Sequence, residues 1–242
     1  IETEDVAALL NAQIKAFSTS QFKGLGSDQI IALESSQIEA LTVSQVQAVG
    51  TLQLSRIETG DIQALTTAAV KGLTVSQIAA LSSDQILSFT GAQFGQITPE
   101  QFSTFTTSQV QSMSSDQISG LSTKVIVALT SAQVGAIETG DFIALSVAQV
   151  GAFTSRQIKG LTSDQFAALT SDQYAGLRSA QIAGLTTLQI SLLGTEEISG
   201  LAQGQVAALT TSQIGSVTSD QIQALTSDQV AGLKALQVSS LS

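Results

Sequence analysis

Leu161-Thr162-Ser163-Asp164-Gln165-Phe166-Ala167-Ala168 runs directly into Leu169-Thr170-Ser171-Asp172-Gln173-Tyr174-Ala175-Gly176. The two stretches are one eight-residue pattern written twice. Followed outward, the register holds across the chain, giving thirty octads and two further residues with no insertion or deletion. Position one is Leu, Ile, Phe, Val or Met in all thirty octads, and position six is Val, Ile, Leu or Phe in all but one, where Tyr174 stands. Position five is Gln in twenty-four, and Asp5, Asp61, Asp141, Glu197, Ala69 and Val125 fill the remaining six. Position eight is small except at Arg56, Gln96 and Leu192.

An octad cannot be one turn of a long helix. Eight residues at about 100° each rotate an apolar stripe by about 80° per repeat, so no continuous face forms. A straight strand also fails, because positions one and six differ by an odd number and would point to opposite faces. The unit must bend once per octad. One short helix per octad satisfies this. Thr or Ser at position two, followed by Gln at position five, is the pattern in which a hydroxyl caps the third helical N–H and the Gln side chain reaches back to the cap. Positions one and six then form the apolar staple across the helix start. Pro99 in Thr98-Pro99-Glu100-Gln101 sits where the first helical residue would be, a site that tolerates proline. All acidic residues but Glu39 lie at positions two, four or five, while Lys15, Lys23, Lys71, Lys159 and Arg56 lie at positions seven or eight. That segregation suits the helix dipole. Small residues at position eight, such as Gly24, Gly72, Gly160 and Gly232, suit a helix C-terminus.

So short a helix is unstable alone, and stacking must supply the stability. The expected fold is therefore an all-α solenoid of very short capped helices, one continuous array over residues 1–242. Two octads (16 residues) per coil is the expected geometry, with three left open by the absence of a 16-residue superperiod. A β-solenoid is the alternative, since Val, Ile, Phe and Thr favour strands and Gln ladders stabilise stacked strands. It leaves the charge segregation unexplained.

Composition removes much chemistry. The chain has 242 residues, no His and no Cys, and a net charge of −10. Zinc sites of the usual kind, Cys nucleophiles and Ser-His-Asp triads are excluded. A pI near 4.2 argues against nucleic acid as a partner. No apolar run is long enough to span a membrane, so no membrane partner is expected. No catalytic, cofactor-binding or metal residue is identified, no cofactor is expected, and the chain is not expected to be an enzyme. Three octads, beginning at Ile1, Ile57 and Ile137, carry a carboxylate at position five, and Gly194-Thr195-Glu196-Glu197 is their relative. A variant cap explains them; a weak calcium site around Glu138 and Asp141 is the rival reading. Asp28, Asp84, Asp116, Asp164, Asp172, Asp220 and Asp228 at position four read as helix N-terminal charges. Arg56, Gln96 and Leu192 imply local widening of the groove between repeats. Tyr174 is expected to send its hydroxyl to the surface.

The run Leu-Thr-Ser-Asp-Gln-Ile-x-Ala-Leu, seen clearly from Leu161, Leu169 and Leu225, resembles the Leu-Thr-x-x-Gln-Ile/Val-x-Ala-Leu arrays of very long bacterial repeat proteins. Many of these resemble secreted or surface adhesin-like proteins. The resemblance covers essentially the whole chain and implies an extracellular or cell-surface setting, with no functional residue to carry over. The function expected is a structural one: a spacer, stalk or scaffold segment of a longer array. Its uncapped ends would associate end to end. The alternative is a binding module presenting a Thr/Ser/Gln face to a glycan, a protein, ice or calcium. Aromatic residues confined almost entirely to positions one and six favour the structural reading.

Overall fold

The computed structural model describes residues 2–241; Ile1 and Ser242 lie outside the described residues. The described residues form twenty-nine short α-helices and one 3-10 helix, Thr139–Phe142, with no strand among them. The β-solenoid is thereby excluded. Each helix starts at octad position three or close to it and runs four to six residues, as in Ser163–Ala167 and Ser171–Ala175. Thr162 and Thr170 precede these helices with extended backbone, and Pro99 is the first residue of the helix Pro99–Phe102. No helix among the described residues is long and apolar enough to cross a membrane.

The chain divides into two compact units, Ile1–Ala128 and Leu129–Ser242. In both units a helix packs on the helix three octads later. Gly91–Phe94 lies against Ser115–Gly120 in the first unit, and Ser155–Lys159 against Ser179–Gly184 in the second. One coil is therefore three octads, or 24 residues, and the expected two-octad coil is corrected. The reason lies in the core. Positions one and six of three consecutive octads meet in a single layer. Phe94 of one octad has its ring 6.0 Å from Phe105, two octads on, and Phe102 of the octad between them stacks on Phe105 at 4.5 Å. Three walls let every apolar pair point inward, whereas two facing helices would leave one side of each open.

The core residues are those of the repeat. Ile182 is 1% exposed, Phe166 0% and Leu169 5%. Burying a side chain of this size stabilises by roughly 1.5–3 kcal/mol, which is what a five-residue helix lacks by itself. Position eight lies at the helix C-terminus, and at some repeats a second reason keeps it small. No described residue has a positive φ, and Gly24, Gly160 and Gly176 end their helices in the right-handed region. At Gly120 and Gly176 the second reason is contact between coils. A Cβ on Gly120 would overlap the backbone carbonyl of Gly91 in the coil before, and one on Gly176 would overlap the Val147 side chain.

Candidate functional site

The residue that organises the array is glutamine at position five. In the octad from Leu169, the Thr170 N–H donates to Gln173 Oε1 at 2.8 Å, and the Gln173 N–H donates to Thr170 Oγ1 at 3.3 Å. The same amide looks backward as well. Gln173 Nε2 donates to the carbonyls of Phe142 at 2.8 Å and Leu145 at 2.6 Å, 31 and 28 residues earlier. These two oxygens lie where the preceding coil leaves one helix and enters the next, at positions six and one. Both ends of the amide are thus committed: the oxygen caps its own helix and the nitrogen closes the end of a helix in the coil before.

The arrangement recurs throughout each unit. In the first, Gln77 donates to Val46 and Val49 at 2.8 and 2.9 Å, and Gln85 to Leu54 and Ile57 at 3.0 and 2.7 Å. In the second, Gln213 donates to Ile182 and Leu185 at 2.9 and 2.8 Å. Every one of these glutamines is buried, at 1–3% exposure, whereas Gln13 and Gln21, with no described coil before them, are exposed. No buried side-chain N or O atom among the described residues lacks a hydrogen-bond partner. Glutamine keeps its role even where position two offers no acceptor: the N–H groups of Leu10, Gly50, Arg178 and Ala202 all donate to the Gln Oε1 three residues on. The cap alone would accept Glu as readily. The donor side of the amide is what the reading of position five as a cap misses, and the excess of Gln over Glu there, twenty-four to one, is the signal that reveals it.

Six octads lack glutamine at position five, and Gln109 keeps the glutamine but donates to Ser83 Oγ at 3.4 Å instead of to the carbonyls; among the six, three kinds of replacement are visible. Asp5 keeps the backward cap, accepting from the Glu2 N–H at 3.0 Å. At Asp61 and Glu197 the polarity between coils is reversed. A serine hydroxyl 26 residues earlier donates to the carboxylate: Ser35 to Asp61 at 2.5 Å, and Ser171 to Glu197 at 3.0 Å. Glu197 has no donor for the Phe166 carbonyl, which is where a glutamine at that position would point. The Tyr174 hydroxyl donates to Phe166 O instead. Tyr174 is therefore 3% exposed, not directed to the surface. Burial, then the Glu197 charge, pushes its phenol above the usual tyrosine range.

At Ala69 and Val125 the amide is replaced by a buried apolar side chain, and two grooves lie near their helices without being lined by either residue. The groove at Val125 has a volume of about 530 Å3 and is lined by Lys71, Gln96, Ile97, Glu100, Ser122 and Lys124, among others. The groove at Ala69, about 330 Å3, is lined by Lys15, Ser36, Glu39, Ala40 and Thr66, with Asn11. The Glu100 carboxyl lies below its usual range, held first by its own backbone N–H and then by the Thr98 hydroxyl. Of the three large residues at position eight, Gln96 lines a groove, while Arg56 and Leu192 are exposed.

The acidic positions do not gather. Among the described residues no three His, Cys, Asp or Glu side chains come together. Glu138 is exposed where Asp141 is buried. The position-four aspartates are exposed, and Asp116 accepts from the Gly91 N–H of the previous coil at 2.9 Å, a structural bond.

Comparison with known proteins agrees with this picture of one unit repeated. The ALTTAQ repeat matches the chain four times, at residues 1–35, 54–91, 134–171 and 198–235. No curated protein matches the chain.

Proposed function

The chain belongs to the ALTTAQ repeat family, whose repeats match more than half of its length, and from that premise we propose that it serves as a spacer, stalk or scaffold segment of a large, adhesin-like bacterial protein. In this reading it works at the cell surface or outside the cell and performs no catalysis. The observation that carries it is the glutamine ladder. The most regular polar group of the repeat has both ends of its amide spent on joining coils, as at Gln173. A surface evolved for a ligand would hold such groups free. Nearest-neighbour joining of identical coils is also what allows an array to be lengthened without redesign. End-to-end association of such segments belongs to the same proposal, and sedimentation velocity at rising concentration tests it.

Two measurements test the proposal. Antibody raised against the chain should label intact cells of its source. Excision of one coil in register, residues 145–168, should leave the helical signal per residue unchanged. Labelling only after permeabilisation removes the surface reading, and loss of helix on excision removes the interchangeable-spacer reading. The second reading, a binding module, is favoured by the two grooves. Their size and polar lining suit a peptide better than ice, calcium or a glycan, for which no aromatic platform or carboxylate cluster stands at either groove.

A further inference from the structure

Nine basic residues serve the whole chain, and three of them, Arg156, Lys159 and Arg178, fall in two octads of the unit Leu129–Ser242. Those octads lie one above the other. Ser155–Lys159 packs on Ser179–Gly184, and the Ser155 hydroxyl donates to Ala180 O at 2.8 Å. Arg178 Nη2 donates to Phe153 O at 3.0 Å, which brings its guanidinium back to the octad of Arg156 and Lys159. All three basic residues are exposed. Two of them stand against the local rules of the repeat. Position four, at the helix N-terminus, is acidic in ten octads and basic only at Lys124 and Arg156. The helix dipole disfavours a cation there. Position two is the cap, and Arg178 replaces its hydroxyl, so the helix Ser179–Gly184 has no side-chain cap. The joint between coils does not require Arg178 either, since Gln181 already donates to Phe153 O at 2.8 Å. Local rules broken on an exposed surface, where the joint is already complete, point to a role outside the fold.

A second stack of the same unit carries the opposite charge. Helices Ser171–Ala175, Thr195–Gly200 and Ser219–Ala224 pack in succession, and their position four holds Asp172, Glu196 and Asp220, a row of exposed carboxylates one coil apart. No base lies in those three octads, and no acid lies in the four stacked octads from Leu129, Phe153, Leu177 and Leu201, two of which hold the basic patch. We infer that two copies of this chain pair side by side through this unit, the patch of Arg156, Lys159 and Arg178 on each copy meeting the row of Asp172, Glu196 and Asp220 on the other. Patch and row lie on different stacks of one unit, so a two-fold axis makes both contacts at once, as an isologous interface requires. A chain of net charge −10 repels its copies at long range. A local basic patch then fixes where close contact is attractive, and the register of that contact. The pairing runs through the sides of the coils and is independent of the end-to-end association proposed above.

Sedimentation velocity on the full chain at about 50 mM salt, where charges act over about 14 Å, tests the pairing by charge exchange. The double variant Arg156→Glu with Arg178→Glu turns the patch acidic. The double variant Asp172→Lys with Glu196→Lys turns the row basic. The repeat accepts both changes: Glu34 and Glu58 stand at position two, Glu100 at position four, and Lys124 is a base at position four. Helical circular dichroism confirms that each variant is folded. The parent is expected to form a dimer that dissociates as salt is raised to about 500 mM. Each variant alone should pair at least about tenfold more weakly, the worth of several exposed charge pairs. An equimolar mixture of the two variants should recover the dimer, because acidic patch then meets basic row and basic patch meets acidic row. End-to-end association would persist in each variant alone, since no substituted residue lies in the first or last coil. A parent that stays monomeric at every concentration, as a patch that takes only small anions would give, overturns the proposal. So does a dimer unchanged in either variant, or a mixture of folded variants that fails to pair.

Discussion

Gln173→Glu separates the two roles of the ladder amide with almost no change in shape. The remaining oxygens still cap the helix, because Thr170 N–H needs only an acceptor. The donor to the previous coil is lost. Leu145 O then has no partner, which costs roughly 1–3 kcal/mol for a buried carbonyl. Phe142 O loses one bond, about 1 kcal/mol, and keeps the Leu145 N–H at 3.3 Å. The expected destabilisation at neutral pH is roughly 3 kcal/mol, about a hundredfold in a local opening constant. The loss should also depend on pH. A carboxylate facing two carbonyl oxygens has its folded-state pKa raised above the ordinary value of about 4.3. Between those two values the folded state holds more protons than the unfolded state, so stability falls as pH rises. A protonated carboxyl is again a donor, and the gap to the parent should therefore narrow from pH 7.5 to pH 5. Amide hydrogen exchange over residues 142–176 is the assay of choice, because an array opens locally and a global melt need not be two-state. Gln173→Met is the companion variant, with a loss independent of pH. Unchanged exchange in Gln173→Glu at neutral pH, or a gap that does not move with pH, would refute the donor role.

Thr170→Ala removes the hydroxyl that caps Ser171–Ala175 and should cost roughly 0.5–2 kcal/mol in urea unfolding, leaving the Gln173 bonds intact. Ile182→Asp places a charge at a site 1% exposed and should cost several kcal/mol, with exchange accelerated in the adjoining coils and unchanged several coils away; a variant as stable as the parent would remove position six from the core. Tyr174→Phe removes the hydroxyl donor to Phe166 O, which keeps the Leu169 N–H at 3.2 Å, and should cost about 1 kcal/mol, but less in a Glu197→Gln background, where a glutamine supplies the donor. A double-mutant cycle on urea midpoints reads the difference, and additive losses would show that the two residues do not substitute for each other.

The period, the helix start and the two core positions were legible because each is local. The eight-residue register, Pro99 and the staple of positions one and six all act within one octad, and the helices lie where these place them. The number of octads per coil was not legible. It is set by a bond between Gln173 and residues 28 and 31 places earlier, and a chain whose octads are nearly identical offers no local mark of which repeat lies beneath which. The small residues at position eight lie at helix ends as read, and at some repeats, as at Gly120 over Gly91, the spacing between coils adds a second reason that the sequence alone does not show. Tyr174 was misjudged for the same reason. Its hydroxyl partner is eight residues away in sequence, and the vacancy it fills is created at Glu197.

That vacancy shows how the array encodes difference within sameness. A glutamine can be replaced at position five in two ways, and the replacement decides which side of the joint is short of a partner. An acid keeps an acceptor at the joint and demands a donor from below. Ser35 answers Asp61 and Ser171 answers Glu197, at the same spacing of 26 residues. An apolar residue supplies neither, and Ala69 and Val125 are instead buried as part of the core. The first substitution conserves the joint with a second residue changed to suit. The second exchanges the amide's bonds for apolar burial.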